Sequence, residues 1–263
     1  MHSRPVAGSN GGRRSRIIYY VGEVGTAHIG TSGWHYAHWR GVFYPETLPA
    51  SKMLEFYAGR FDTVELNNTF YRLPLVTGLD NWRCSTPGNF LFAAKGSRFL
   101  THMKKLKDSD AGIDNYFERV RHLGKKLGPV VFQLPPFWNV NAERLEAFLA
   151  ALPSRRRYAF ELRNPSWHTP EIYGILRRYN AAFCIFEIAG VHSGFEITAD
   201  FTYVRLHGPG AAYQGKYPAA TLRQWAARIR EWRKQLRAIY VYFDNDQEAY
   251  AVENALGLKQ LLG

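Results

Sequence analysis

Eight short runs of apolar, β-branched and aromatic residues constrain this chain more than any other feature. Each is bounded by turn-forming residues, and successive runs begin roughly 20 to 40 residues apart. They start near His28 (HIGTSG), Asp62 (DTVELN), Phe90 (FLFAAKG), Pro129 (PVVFQLP), Tyr158 (YAFELRN), Ala182 (AFCIFE), Thr202 (TYVRLHG) and Ile239 (IYVYFDN). A strand-plus-helix unit takes roughly 30 residues, so nearly every gap has room for one crossover helix, which parallel neighbours require. The gaps carry the matching periodicity. Leu222, Trp225, Ile229, Trp232 and Leu236 recur at steps of three and four, as do Ile113, Phe117, Val120, Leu123 and Leu127. Leu145, Phe148, Leu149 and Leu152 do the same behind Ala142 and Glu143. Several runs are almost continuously apolar, as strands buried on both faces must be. Together these features predict an α/β chain, a (β/α)8 barrel over residues 27–263 with an irregular or missing helix between strands six and seven.

Length and composition agree with one large core. The chain has 263 residues, 46% of them hydrophobic, with 7 Trp, 16 Tyr and 17 Phe. That is too much apolar and aromatic surface for a disordered chain. No apolar run approaches the ~20 residues a membrane-spanning helix needs. Cys84 and Cys184 form neither a disulfide framework nor a zinc motif, and two reduced thiols imply a cytoplasmic protein. Residues 1–26 carry Arg4, Arg13, Arg14 and Arg16 against Glu23, with Gly and Ser between, which predicts a basic, disordered tail. The net charge of +12 favours anionic partners.

In such barrels the loops after the strands converge on one mouth, where chemistry sits. The polar residues of this chain collect there. Strand alternation puts Glu65 and Asn67 on one face, Glu161 and Arg163 on another, and Arg205 and His207 on a third. Lys95, Gln133, Asp244 and Asn245 end the third, fourth and eighth strands. Buried charges are costly unless paired, so this set is either an internal ion-pair ring or a site. The loops beyond add Trp34, Tyr36, Trp39, Tyr44, Phe70, Tyr71, Phe137, Trp138, Trp167, Tyr213 and Tyr217, flat faces suited to sugars or nucleobases. The seventh loop, HGPGAAYQGKYP, places Gly208, Gly210 and Gly215 beside Lys216, a composition that predicts backbone donors for a phosphate.

The segments IGTSGWHYAHWRGVFYP, VELNNTFYRLP, FAAKGSRFLTHMKKL, VFQLPPFWN, FELRNPSW, YVRLHGPGAAYQGKYP and VYFDND together resemble the YecE-like family, a domain of unknown function (family 72). The resemblance runs from about His28 to the C-terminus. It implies a TIM-barrel fold and no established reaction; the family is similar in fold to barrels acting on sugars and on abasic DNA. Carried onto this chain, the family's mouth positions are Ser32, Trp34, Glu65, Asn67, Asn68, Tyr71, Lys95, His102, Gln133, Glu161, Arg163, Trp167, Arg205, His207 and Asn245. Asp244 departs from the pattern, which leads one to expect two asparagines at 244 and 245.

Three functional readings follow. In the first, the protein is an enzyme acting on a phosphorylated sugar or nucleotide-like small molecule. Glu65 or Glu161 is then the general base or acid, and His207 a proton shuttle. Lys95, Arg205 and Gly208 hold the anionic group, and the remaining mouth residues bind substrate. In the second, it binds or processes nucleic acid through basic segments such as Arg223, Arg228, Arg230, Arg233, Lys234 and Arg237, with Arg155, Arg156 and Arg157 on the opposite rim. In the third, it is a non-catalytic small-molecule binding protein. No cofactor is expected; a divalent metal on Glu65, Glu161, His207 and Asp244 is a subsidiary variant of the first two.

Overall fold

A computed structural model describes residues 24–263. The predicted tail at 1–26 falls almost wholly outside these residues. Its last positions are strand and strand approach: Gly25 N–H donates to the Arg233 carbonyl at 2.8 Å and Thr26 N–H to that of Arg237 at 3.1 Å.

Eight parallel strands form the barrel: β1 (Thr26–Thr31), β2 (Thr63–Leu66), β3 (Leu91–Lys95), β4 (Leu127–Leu134), β5 (Tyr158–Leu162), β6 (Ala182–Ile188), β8 (Phe201–Leu206) and β9 (Ala238–Phe243). The eight apolar runs all become strands, within two residues of the expected starts. They are hydrogen-bonded in the order β1, β9, β8, β6, β5, β4, β3, β2. The ring closes between β1 and β2 on a single bridge, Ser32 to Glu65, where Gly33 N–H donates to the Glu65 carbonyl at 2.8 Å. The fold is thus a nearly closed (β/α)8 barrel.

Between β6 and β8 there is no helix, as the short spacing there implied. The two-residue strand β7 (Val191–His192) folds back on β6 through a tight turn at Ala189 and Gly190, then an irregular segment returns to the barrel. Elsewhere helices cover the sheet: α1 (Met53–Ala58), α2 (Asn68–Tyr71), α3 (Val76–Cys84), α4 (Asp110–Val120), α5 (Ala142–Ala151), α6 (Pro170–Arg178), α7 (Ala219–Arg233) and α8 (Tyr250–Leu262). Local chemistry sets their ends. Asn141 caps α5 by accepting from Arg144 N–H, and Thr169 caps α6 ahead of Pro170, whose fixed φ suits a first turn. Leu222, Trp225, Ile229 and Trp232 of α7 are buried against the sheet as their spacing requires. The run from Ile113 does not stay helical to Leu127. Gly124, at φ 59° and ψ −127°, breaks it, and Leu127 opens β4 instead.

The inward faces are filled in tiers. At the lower end His28 stacks on Tyr240 (5.0 Å between centroids) and bonds Asp62 at 2.5 Å, while Arg157 donates to the Tyr240 hydroxyl at 2.7 Å. Above them Ala93, Val131, Ala159, Ala182 and Cys184 are small enough to let Tyr203 and Tyr242 lie across the interior. Both tyrosines point their hydroxyls inward, Tyr242 to Thr63 Oγ1 at 2.7 Å and Tyr203 to Glu65 at 2.5 Å. The charged tier rests on this floor.

Candidate functional site

Alternation carries Glu65, Glu161, Arg163, Arg205, His207, Lys95, Gln133 and Asn67 inward at the carboxyl ends, as the sequence implies. Arg205 is the hub, fully buried. Its Nε donates to both Glu65 oxygens (3.0 and 3.2 Å). One terminal nitrogen reaches Glu161 at 2.6 Å and faces His207 Nε2 at 3.4 Å. The other reaches Glu65 at 2.7 Å and Asp244 at 3.0 Å. A guanidinium has five N–H donors, and here Nε and both terminal nitrogens are engaged by carboxylates. Arg205, expected to hold substrate, is thus fully buried with every nitrogen bonded to a carboxylate.

The carboxylates are equally committed. Glu65 Oε1 accepts from Ser32 Oγ and Arg205, and Oε2 from Tyr203 and Arg205, with no exposed surface. Glu161 accepts from Arg205 on one oxygen and from Arg163 Nε at 2.5 Å on the other. Burial alone would raise the Glu161 pKa, but Arg163, Arg205 and His207 hold it well below the usual carboxylate range. Burial likewise opposes ionisation of Asp244, and Arg205 with His207 overrides it, keeping that carboxyl below its ordinary value. His207, also fully buried, has Nδ1 3.0 Å from Asp244, which orients the ring so that Nε2 faces Arg163 at 3.3 Å. Asp244 thus has a clear role at the position where the family pattern suggests asparagine. It brings the third negative charge that balances Arg163, Arg205 and Lys95. The three groups expected to move protons, Glu65, Glu161 and His207, are sealed within this network.

What remains open lies above the hub. Lys95 is 8% exposed, and its backbone carbonyl is fixed by Thr69 Oγ1 at 2.7 Å and the Tyr116 hydroxyl at 3.0 Å. Its amine lies 4.5 Å from the centre of the Phe70 ring. Among the described residues no carboxylate pairs with it. Burial, then the nearby charge of Arg205, lowers its pKa to about 8 against the pull of Glu161, Glu65 and Asp244. His102, edge-on to the same Phe70 ring at 5.0 Å, is pushed down to about 4 by burial and by Lys95, Arg98 and Arg163, so it is neutral at pH 7. Arg163 spends Nε on Glu161 and one terminal nitrogen on Tyr213 Oη (3.2 Å) and His207, leaving its other terminal nitrogen toward the partly exposed mouth. Asn67 donates to Ser32 Oγ at 2.6 Å, and its Oδ1 is buried without a partner, as is Gln133 Oε1.

Other expected site residues stand elsewhere. Trp167 is fully buried, its Nε1 donating to the Trp138 carbonyl at 2.8 Å, and packs the rim. Asn245 ties the seventh loop to α8 through Gly215 and Asn254. Gly208 N–H is taken by the Tyr217 hydroxyl at 3.0 Å, Gly215 N–H by Gln247, and Lys216 by Glu253. The seventh loop is consequently cross-braced, with those donors unavailable to the anticipated phosphate. Tyr71 and Asn68 are exposed on the rim. Trp34 packs edge-on to Trp82 (5.1 Å) in the wall of a cleft of about 1360 Å³ between α1 and α3, which meets the mouth at Asn67. Sequence reasoning missed Tyr203, although alternation places it on the same face as Arg205. Among the described residues, no set of three His, Cys, Asp or Glu side chains is arranged to hold a metal ion.

Fold and site together define a TIM barrel whose mouth carries an internally neutralised ion cluster beneath an open cationic and amide layer. A family model described as "Protein of unknown function DUF72" matches residues 28–263, and the chain belongs to that family. It is 23% identical over 270 residues to the UPF0759 protein YunF of Bacillus subtilis, covering 89% of this chain and 94% of the relative. It is 29% identical to the UPF0759 protein YecE of Escherichia coli K12 over 141 residues, 53% of this chain and 49% of that one. Among solved structures, the DUF72 family protein TM1631 of Thermotoga maritima superposes with a TM-score of 0.82 at 27% identity, covering 90% of this chain and 99% of the other. EF0366 of Enterococcus faecalis gives 0.78 at 18% identity over 90% and 95% of the two chains, a likeness of fold. No helix of the described residues is long and apolar enough to cross a membrane.

Proposed function

We propose that the protein is an enzyme acting on a phosphorylated sugar or nucleotide-like small molecule by general acid/base chemistry at the barrel mouth. The reading rests on the contrast between spent and unspent groups. The hub is internally satisfied, while Lys95, one terminal nitrogen of Arg163, Asn67 Oδ1 and Gln133 Oε1 stand above it with capacity for a ligand. In this arrangement Arg163 takes the anion-facing role first given to Arg205. An amine with a pKa near 8 replaces the sealed carboxylates as the proton-transfer group, since catalytic pKa values work best near the operating pH, and the neutral His102 imidazole beside Phe70 adds a hydrogen-bonding group. The tryptophan-walled cleft beginning at Asn67 extends the site for a ring or base.

A thermal-shift screen tests this. A ligand at 100 times its Kd adds about 2.7 kcal/mol, or roughly 5–10 °C for a chain of this size. Sugar phosphates or nucleotides are expected to give such shifts in the wild type and not in Arg163→Gln.

A second reading is favoured by the rim. Tyr71 is 79% and Phe137 95% exposed, and Arg98, Phe99, Lys104, Lys105 and Lys107 are exposed on the segment after β3, an aromatic and basic combination suited to single-stranded nucleic acid. Salt separates the two. Counterion release makes oligonucleotide affinity fall steeply with salt, while one phosphate held by directed hydrogen bonds responds weakly. Oligonucleotide binding with a steep slope, and no response to small phosphates, refutes the first reading.

A further inference from the structure

We propose that Lys95 is a carbonyl-reactive amine, forming an iminium with the aldehyde or ketone carbon of a hydroxylated substrate. The inference rests on the reading of the mouth as a small-molecule site and names its substrate class. Its basis is geometric. A lysine retained in a barrel interior for charge balance alone would be expected to pair with one of the three carboxylates nearby, yet Arg205 and Arg163 take them and Lys95 is left on the face of Phe70. The two strands beside it present buried acceptors without donors, Asn67 Oδ1 from the end of β2 and Gln133 Oε1 from β4. The Asn67 orientation is fixed, because Ser32 Oγ gives its proton to Glu65 and so must accept from the Asn67 amide nitrogen. Both acceptors call for hydrogen-bond donors, a need that hydroxyls on carbons neighbouring a carbonyl would meet.

The step balances without a cofactor. The neutral Nζ adds its lone pair to the carbonyl carbon, the C=O π electrons move to oxygen, and a nitrogen proton shifts to that oxygen to give a carbinolamine. One proton from solvent then lets the hydroxyl leave as water, and the nitrogen lone pair closes the C=N bond of the iminium. The low pKa serves this chemistry: at pH 7.5 an amine with pKa about 8 is roughly one-quarter neutral, against about one part in a thousand for an ordinary lysine.

The test is reductive trapping on the full chain with D-glyceraldehyde 3-phosphate and sodium cyanoborohydride, which delivers hydride to the iminium carbon and leaves a stable secondary amine. Peptide mapping at pH 7.5 is expected to find the adduct on Lys95 at least tenfold above the exposed Lys52 and Lys104, a conservative fraction of the protonation advantage. Labelling should rise with pH about a midpoint near 8. Lys95→Arg, which retains the charge, should lose that adduct alone. Gln133→Leu should abolish the preference for glyceraldehyde over propionaldehyde while Lys95 remains reactive. Labelling no faster at Lys95 than at Lys52, or a pH midpoint near 10, overturns the proposal. Glycerol 3-phosphate, which has no carbonyl, separates the two failures. A thermal shift with it but no Lys95 adduct leaves Lys95 a non-covalent ligand and the proposed function intact; neither signal removes both.

Discussion

Arg205→Ala is the perturbation that best tests the ion cluster as architecture. The side chain has no exposed surface and joins Glu65, Glu161 and Asp244 at 2.6–3.0 Å. Without it Glu161 keeps Arg163 and Asp244 keeps His207, but Glu65 retains only the hydroxyls of Ser32 and Tyr203. Removing one partner of a buried ion pair costs ~3–5 kcal/mol, and Arg205 serves three carboxylates, so a loss of about 5 kcal/mol is expected at pH 7. With a urea m-value of ~3 kcal/mol/M, the midpoint should fall by about 1.7 M. The pH dependence has a definite sign. Glu161 and Asp244 have lowered native pKa values, so their contribution is present above the unfolded carboxylate range and lost as pH falls through the native values. The variant lacks part of that contribution, and the gap between the two proteins should narrow below about pH 4. Urea titrations followed by circular dichroism at pH 7 and at about pH 3 provide both numbers. A loss under ~1 kcal/mol at pH 7, or a gap that widens in acid, refutes the reasoning.

Two further outcomes follow from local geometry. Gly208→Ala should destabilise the protein by ~1–3 kcal/mol by thermal or urea unfolding, because Gly208 sits at φ +106° and a Cβ there collides with the Gln214 backbone. A chain beginning at His28 should be less stable than one beginning at Val24 by about 1–3 kcal/mol, since it lacks the bonds that Gly25 and Thr26 make to Arg233 and Arg237. Equal midpoints for the two truncations would show that those bonds contribute nothing.

The sequence was most legible where a period encodes the answer. Two-residue alternation assigned Glu65, Glu161 and Arg205 to inward faces, and the short spacing after Ala182 anticipated the missing helix. It was least legible where identity depends on who meets whom. Nothing local distinguishes an Arg205 aimed at ligand from one aimed at three carboxylates contributed by strands far apart in the chain. The glycines of the seventh loop misled for the same reason. Gly208 is needed because the chain turns tightly against Gln214, while its N–H is claimed by Tyr217 nine residues on. Trp167 had the composition of a binding residue, but only the position of the Trp138 carbonyl shows that it is rim packing.

The closure of the barrel has a consequence for how the chain is made. Strand β1 pairs along its whole length with β9, Thr26 opposite Ala238, and meets β2 through one bridge. Strand β1 therefore waits for β9 to be made. At ~5–20 residues per second, a separation of roughly 210 residues is a delay of about 10–40 s, during which β1 has an unfilled edge. Strands β2 to β6 gain neighbours as they appear, so synthesis builds an arc first. Completion of the ring, and with it the Ser32–Glu65 contact that shapes the mouth, then waits for β9 to emerge.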